Sequence, residues 1–268
     1  MPHCKITIGL IAATMLAISS RAQYTDTIPV IHNSGDSILL AKEWNATTGK
    51  KTFPYKSLFI PGLMIAYGIT ALENDGLQNI DKKFQDEISM EHPHQLKHID
   101  NYLQFTPAIA VYGLNAIGIK GKNNLMDRSM LYLLSNIIMN TTVFPLKKIS
   151  HRLRPDSSDY YSFPSGHTAE AFTSAEFLYQ EYKNVSPWYG VAGYAIAATT
   201  GYLRMYNNKH WFSDVVAGAG IGIASVKITY WLYPKIKALV FKDKFPHTAF
   251  LPFYDSHSVG LRFQYCGF

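Results

Sequence analysis

Apolar residues in this chain are gathered into long blocks separated by polar ones. Six blocks have helix length: Leu58 to Leu72, Tyr102 to Ile119, Met130 to Pro145, Thr168 to Tyr182, Trp188 to Leu203 and Val215 to Tyr233. Continuous apolar runs this long read as helices, because buried strands end sooner. The tail behaves differently. Val259, Leu261, Phe263 and Tyr265 alternate with Gly260, Arg262, Gln264 and Cys266, the period of a strand, and Ala249 to Tyr254 supplies a partner for a small hairpin. Two strands are far too few for an outer-membrane barrel. The pattern therefore predicts an all-α protein, a bundle of six helices with a small C-terminal β-hairpin.

The segments outside the blocks set the domain boundaries. Lys5 precedes the apolar stretch Ile6 to Ile18, and Ser20-Arg21-Ala22 places small residues around a cut before Gln23, so residues 1–22 read as an export signal. An uncleaved anchor is the alternative, although the run is shorter than a span. Residues 23–56 form a polar peripheral arm, 57–240 the helical domain and 241–268 the tail. Cleavage would remove Cys4 and leave Cys266 alone, so that product would hold no intrachain disulfide. Glu73 to Asp100 is charged and carries His92, His94 and His98. A solvated loop or short amphipathic helix accounts for it, since no cysteine or tight carboxylate pattern completes a metal site.

Composition narrows the setting. The chain has 268 residues, 14% aromatic and only 16% charged, below the usual quarter. Its net charge of +6 suits anionic surfaces, phosphorylated lipids among them. No helix-turn-helix, finger or RNA-binding signature is present, which argues against nucleic acid, and no pattern points to a protein partner. Glu170, Glu176 and Lys227 interrupt the apolar blocks and are costly in lipid unless they turn inward. Gly218 and Gly222 allow close helix packing in either solvent.

Three short stretches carry the chemistry. Lys147 precedes Arg154-Pro155 by seven residues, about two helical turns, so both cations share a face if the helix runs on to Pro155. Arginine offers a fork that matches two phosphate oxygens, and lysine a compact charge for a third. Read alone, Lys147-Lys148 and Arg152 to Arg154 also fit a solvated basic turn. Pro164-Ser165-Gly166-His167 leads into a helix, where free N–H groups and the dipole favour an anion, Ser165 can cap or donate, and Gly166 admits close approach. A capped helix start with an incidental histidine is the plainer reading. Finally, Arg204 leads to His210 and Asp214, which at i and i+4 are neighbours on a helical face. The carboxylate could then take the Nδ1 proton and leave Nε2 free, although such pairs also occur on surfaces.

Jointly these residues resemble the signature of the type-2 phosphatidic acid phosphatase and vanadium-dependent haloperoxidase superfamily: Lys147 to Pro155, Pro164 to His167 and Arg204 to Asp214. Leu203 stands where the family usually has serine, and the interval from Pro155 to Pro164 is short. The resemblance implies a six-helix bundle with all three stretches at one end. It further implies His210 as nucleophile, Asp214 orienting it, His167 as general acid, and Lys147, Arg154, Ser165, Gly166 and Arg204 binding phosphate, with no metal and no other cofactor.

The activity so implied is hydrolysis of a phosphate ester of an envelope lipid, of the lipid A, undecaprenyl diphosphate or phosphatidylglycerol phosphate class, at a membrane surface. A periplasmic acid phosphatase acting on soluble monoesters is the alternative, and a vanadium haloperoxidase a more distant one. The expected location is the periplasm, or a membrane with the site facing the periplasm. A cleaved signal followed by three spans would instead put Lys147 in the cytoplasm, whereas Lys120, Lys122, Arg128, Lys235, Lys237, Lys242 and Lys244 favour an outward site. The simplest resolution is an exported bundle, soluble or resting on the membrane; an integral enzyme with an outward site is the alternative.

Overall fold

The computed structural model describes residues 53, 55–90, 98–241, 248–255 and 258–265. The expected signal, nearly all of the arm, His92, His94 and Cys266 lie outside the described residues. The chain divides into two units, Met1–Lys51 and Thr52–Phe268, and every described residue falls in the second.

Among the described residues there are eight helices: α1 (Tyr55–Thr70), α2 (Asp75–Met90), α3 (Asp100–Leu103), α4 (Thr106–Ala116), α5 (Leu125–Ser150), α6 (Gly166–Tyr182), α7 (Trp188–Tyr206) and α8 (Phe212–Phe241). Seven of them answer the six apolar blocks. The second block is broken, because Pro107 sits in the first turn of α4 and starts a new helix after the single turn of α3. Its charged neighbour, Glu73 to Asp100, holds α2, the amphipathic helix among the two expectations. β1 (Thr248–Asp255) and β2 (Ser258–Tyr265) pair antiparallel with Thr248 opposite Tyr265 and Asp255 opposite Ser258.

The centre of the bundle is α6, whose inward residues Ala169, Ala171, Ala175 and Phe177 are fully buried. It packs on α7 and α8. Small residues bring α8 in closely: a Cβ on Gly218 would stand 2.5 Å from the Ser165 carbonyl oxygen, and one on Gly222 would overlap the carbonyl of Ala169. The packing places the start of α6 against the first turns of α8, which is where the second and third signature stretches meet.

Charged residues of the apolar blocks turn inward and find partners. Glu170 accepts from the Tyr132 hydroxyl at 2.7 Å, Glu176 pairs with Lys227 at 3.0 Å, and Glu181 pairs with Arg128 at 3.2 Å while accepting from Tyr230 at 2.6 Å. The outside of the bundle stays apolar: Leu133, Ile137 and Phe144 on α5 are exposed. Leu125–Ser150 and Phe212–Leu239 are long and apolar enough to cross a membrane, and α1 with α2, bent by 95° at the break between them, passes the same test as one broken span. Inward charges with an apolar exterior favour the integral alternative over a soluble bundle.

Candidate active site

The site is built where α5 ends, α6 begins and α7 turns into α8. Helix α5 stops at Ser150, because His151 adopts a left-handed conformation (φ 43°). Lys147 therefore lies in the last helical turn and Arg154 in the following loop, so the expected shared helical face to Pro155 is not formed. The loop brings Arg154 back instead. Asp159 accepts from Arg154 Nε at 2.7 Å and from the Tyr161 amide at 2.8 Å, and Lys147 Nζ donates to the Tyr161 carbonyl at 2.7 Å. The short interval before Pro164 is thus a tight loop knotted around one carboxylate, and it presents both cations on one side.

Ser165 occupies the N-cap position of α6 in extended conformation, but its hydroxyl meets the Thr168 hydroxyl at 2.9 Å rather than a backbone amide. Its own amide donates to the Asp214 carbonyl at 3.0 Å, tying the second stretch to the third. Gly166 opens the helix, and a Cβ there would lie 3.7 Å from Lys147 Cε, so the lysine chain runs beside the free N–H groups of the helix start.

His210 does not share a helix with Asp214. It lies in the loop before α8, whereas Asp214 is in that helix's first turn. The ring Nδ1 is 2.7 Å from the Ser162 carbonyl oxygen and 3.7 Å from Asp214 Oδ2. A carbonyl only accepts, so Nδ1 bears the proton and Nε2 keeps its lone pair. The expected outcome, a free Nε2, is reached through Ser162. Asp214 still closes the arrangement, because its Oδ2 accepts from the Ser162 hydroxyl at 2.5 Å and from the Trp211 amide at 2.9 Å.

Two further groups contact His167 and Arg204. His167 Nε2 donates to Asn101 Oδ1 at 2.8 Å, and Arg204 Nη1 donates to Asp100 Oδ2 at 2.7 Å, both partners belonging to α3. Arg204 Nε is buried without a partner among the described atoms. Sequence reading missed Asp100, Asn101 and Ser162, as well as Arg152, which donates to Asp214 Oδ1 at 2.6 Å. Arg152 was visible as the first arginine of its stretch; the other three carried no signal of spacing or type.

The electrostatics follow from burial and crowding. Burial first, and then the positive charges of Lys147 and Arg204, hold His210 down at about 3 against the opposing pull of Asp214. Burial, then Arg204, holds His167 at about 4, opposed by Asp100. Both imidazoles are therefore neutral at pH 7 while the site is free. Lys147 and Arg204 act on both imidazoles and Arg154 on His167, so the three cations converge on one region. An uncharged histidine with a free Nε2 facing converging cations and a helix N-terminus is an arrangement that can bind a phosphoryl group and attack it.

Residues 128–238 match the family model described as the PAP2 superfamily. A lipid A 1-phosphatase of Porphyromonas gingivalis is 40% identical over 146 residues, which make up 54% of this chain and 32% of that protein. The chain thus spans about a third of that curated relative. Among solved structures, a transmembrane PAP2-type phosphatidylglycerolphosphate phosphatase from Bacillus subtilis is 19% identical with a TM-score of 0.48, covering 67% of this chain and 98% of its own. Aquifex aeolicus LpxE is 22% identical with a TM-score of 0.42, covering 55% of this chain and 93% of its own. Every signature position from Lys147 to Asp214 lies inside the segment in which this chain is similar to the PAP2 superfamily.

Proposed function

We propose that this chain is a membrane-bound phosphatase that removes a phosphate group from an envelope lipid, with lipid A as the first substrate to test, through a phosphohistidine on His210. The observation that carries the reading is the 2.7 Å contact of His210 Nδ1 with the Ser162 carbonyl, which leaves Nε2 free as a nucleophile among converging cations. In the first step Nε2 attacks phosphorus, the bond from phosphorus to the leaving oxygen breaks, and His167 delivers the proton that this oxygen needs. In the second, His167 takes a proton from water as the water oxygen attacks phosphorus. The P–N bond then breaks and inorganic phosphate leaves. Lys147, Arg154, Arg204, the Ser165 hydroxyl and the Gly166 amide stabilise the charge on the equatorial oxygens in both steps.

Substrate binding also readies the general acid. Burial holds His167 at about 4, helped by Arg204, Lys147 and Arg154, the cations a phosphate dianion neutralises, so the bound ester raises this histidine and allows it to be protonated when the leaving group departs. The lipid preference is supported by the membrane-length α5 and α8 and by the activity named for the Porphyromonas gingivalis relative. Export and an outward-facing site fit the lysines at the opposite end, where Lys122 bonds through its amide to the end of α6 and Lys237 pairs with Asp127 at the start of α5. The test compares the purified protein on lipid A, an isoprenoid diphosphate and p-nitrophenyl phosphate. Lipid A should be hydrolysed with the highest kcat/KM, and vanadate should inhibit; a preference for the small ester by orders of magnitude would overturn the lipid assignment.

A further inference from the structure

We propose that Asp81, on α2 and outside all three signature stretches, is a positioning residue for the nucleophile, acting through Arg152 and Asp214. The inference rests on the reading of His210 as the attacking group. Asp81 is 1% exposed, and both its oxygens are used: Oδ1 accepts from the Ser213 amide at 2.8 Å, while Oδ2 accepts from the Ser213 hydroxyl and from Arg152 Nη2, each at 2.6 Å. Arg152 Nη1 continues to the Ser213 hydroxyl at 2.7 Å and to Asp214 Oδ1 at 2.6 Å. From Asp214 the chain of contacts passes through the Ser162 hydroxyl to the residue whose carbonyl fixes the His210 ring. Five groups in direct contact thus link α2 to the nucleophile.

Charge gives Asp81 a second role. Arg152 paired with Asp214 alone would cancel the carboxylate that opposes desolvation of His210. With Asp81 added, the buried cluster holds one guanidinium between two carboxylates and keeps a net negative charge. The ring becomes cationic when Nε2 bonds to phosphorus, and this residual charge stabilises it where little water can. A carboxylate that merely tied α2 to the bundle would need neither the bond to Arg152 nor this charge balance. The tie exists separately, because Gln85 on the same helix face bonds to the Asn208 side chain and Phe84 stacks on Phe212 at 4.5 Å.

The cluster is also open on its outer side. A cavity of about 200 Å³ lined by Leu72, Gln78, Asp81, Lys82, Arg152 and Trp211 lies against it. Water in that cavity can serve Arg152 Nη2 if Asp81 loses its charge, so the substitution Asp81→Asn should fold while its charge effect remains. The experiment uses the full chain with p-nitrophenyl phosphate as probe. It also follows the His210 ring by NMR of protein labelled with ¹⁵N-histidine, assigned by difference with His210→Ala. Asp81→Asn should lower kcat roughly 10²-fold with KM within about threefold of wild type, as a small misplacement of a reacting group does. Asp81→Glu should recover most of that loss, and Asp86→Asn, on the exposed face of α2, should change nothing. In the wild type His210 should show a single Nδ1–H tautomer that becomes a mixture in Asp81→Asn. A wild-type kcat in Asp81→Asn overturns the proposal, and so does equal impairment of the Asn and Glu variants with an unaltered His210 tautomer. If the wild-type protein hydrolyses nothing and the tautomer still changes in Asp81→Asn, the phosphatase reading fails and the positioning role stands.

Discussion

Arg128 and Arg152 are built from the same parts at opposite ends of the bundle. Each is a guanidinium withdrawn from water beside a buried carboxylate: Arg128 is 1% exposed and faces Glu181, and the Arg152 side chain is 13% exposed and faces Asp214. They differ in charge balance and in what stands next to them. Among the described residues, one acid contacts Arg128, and its other partners are neutral: the Asn123 carbonyl at 2.7 Å and the Asn115 side chain at 3.2 Å, with the Tyr230 hydroxyl on Glu181. Around Arg152 there are two acids, a cavity and the loop that carries His210. A neutral, closed cluster locks the start of α5 to the end of α6. A negatively charged, partly open one suits the cation that the proposed attack would create on His210.

The sharpest way to break the comparison is to remove each arginine. Arg152→Ala should cost roughly 10³-fold in kcat, below the loss seen when the orienting acid of a Ser–His–Asp enzyme is neutralised. Arg128→Met should leave Glu181 buried without its cation and destabilise the protein by about 3–5 kcal/mol, yet keep kcat near wild type in the folded fraction. Paired thermal-midpoint and kcat measurements check both. If Arg128→Met lowered kcat as much as Arg152→Ala at temperatures where both are folded, the two clusters would not differ in kind.

A second, milder contrast lies within the site, between free and occupied states. His167 is held at about 4 in the free protein by burial and by cations that the phosphate would neutralise. The alkaline limb of kcat/KM, which reports the free protein after correction for the ester's own ionisation, should therefore fall at lower pH than the alkaline limb of kcat. Coincident limbs in the two profiles would mean that the bound phosphate does not raise His167. The smallest expected effect concerns α3. Asp100 occupies Arg204 at 2.7 Å, where a phosphate oxygen would bind, so Asp100→Asn should tighten inhibition by inorganic phosphate about fivefold, the worth of one modest hydrogen bond. Weaker inhibition would instead mark Asp100 as the residue that aims Arg204.

How far the sequence could be read depended on the range of the interactions. The six apolar blocks foretold the bundle, and the three stretches foretold the residues that gather at one end of it, because spacing within a stretch reflects local geometry. Interactions between distant segments left no such trace. On α2 the apolar residues Ile80 and Phe84 are 38% and 39% exposed, while Asp81 and Gln85, four apart, face inward at 1% and 8%. A hydropathy reading of this helix buries the wrong face, since the polar positions are satisfied by Arg152, Ser213 and Asn208, far away in sequence. His210 shows the same limit at close range. Its spacing to Asp214 suggested a direct bond, but the loop before α8 turns the ring to Ser162, a residue 48 positions earlier. The departure at Leu203 leaves Arg204 in place, held from α3.

The central claim is that His210 becomes covalently phosphorylated. Rapid quenching of the full chain with ³²P-labelled lipid A, followed by peptide mapping, tests it most directly. The account predicts an acid-labile, alkali-stable phosphate on the peptide containing His210, formed within one turnover and lost in His210→Ala. Turnover at the wild-type rate with no phosphoenzyme, or with label on a hydroxyl side chain, would contradict it.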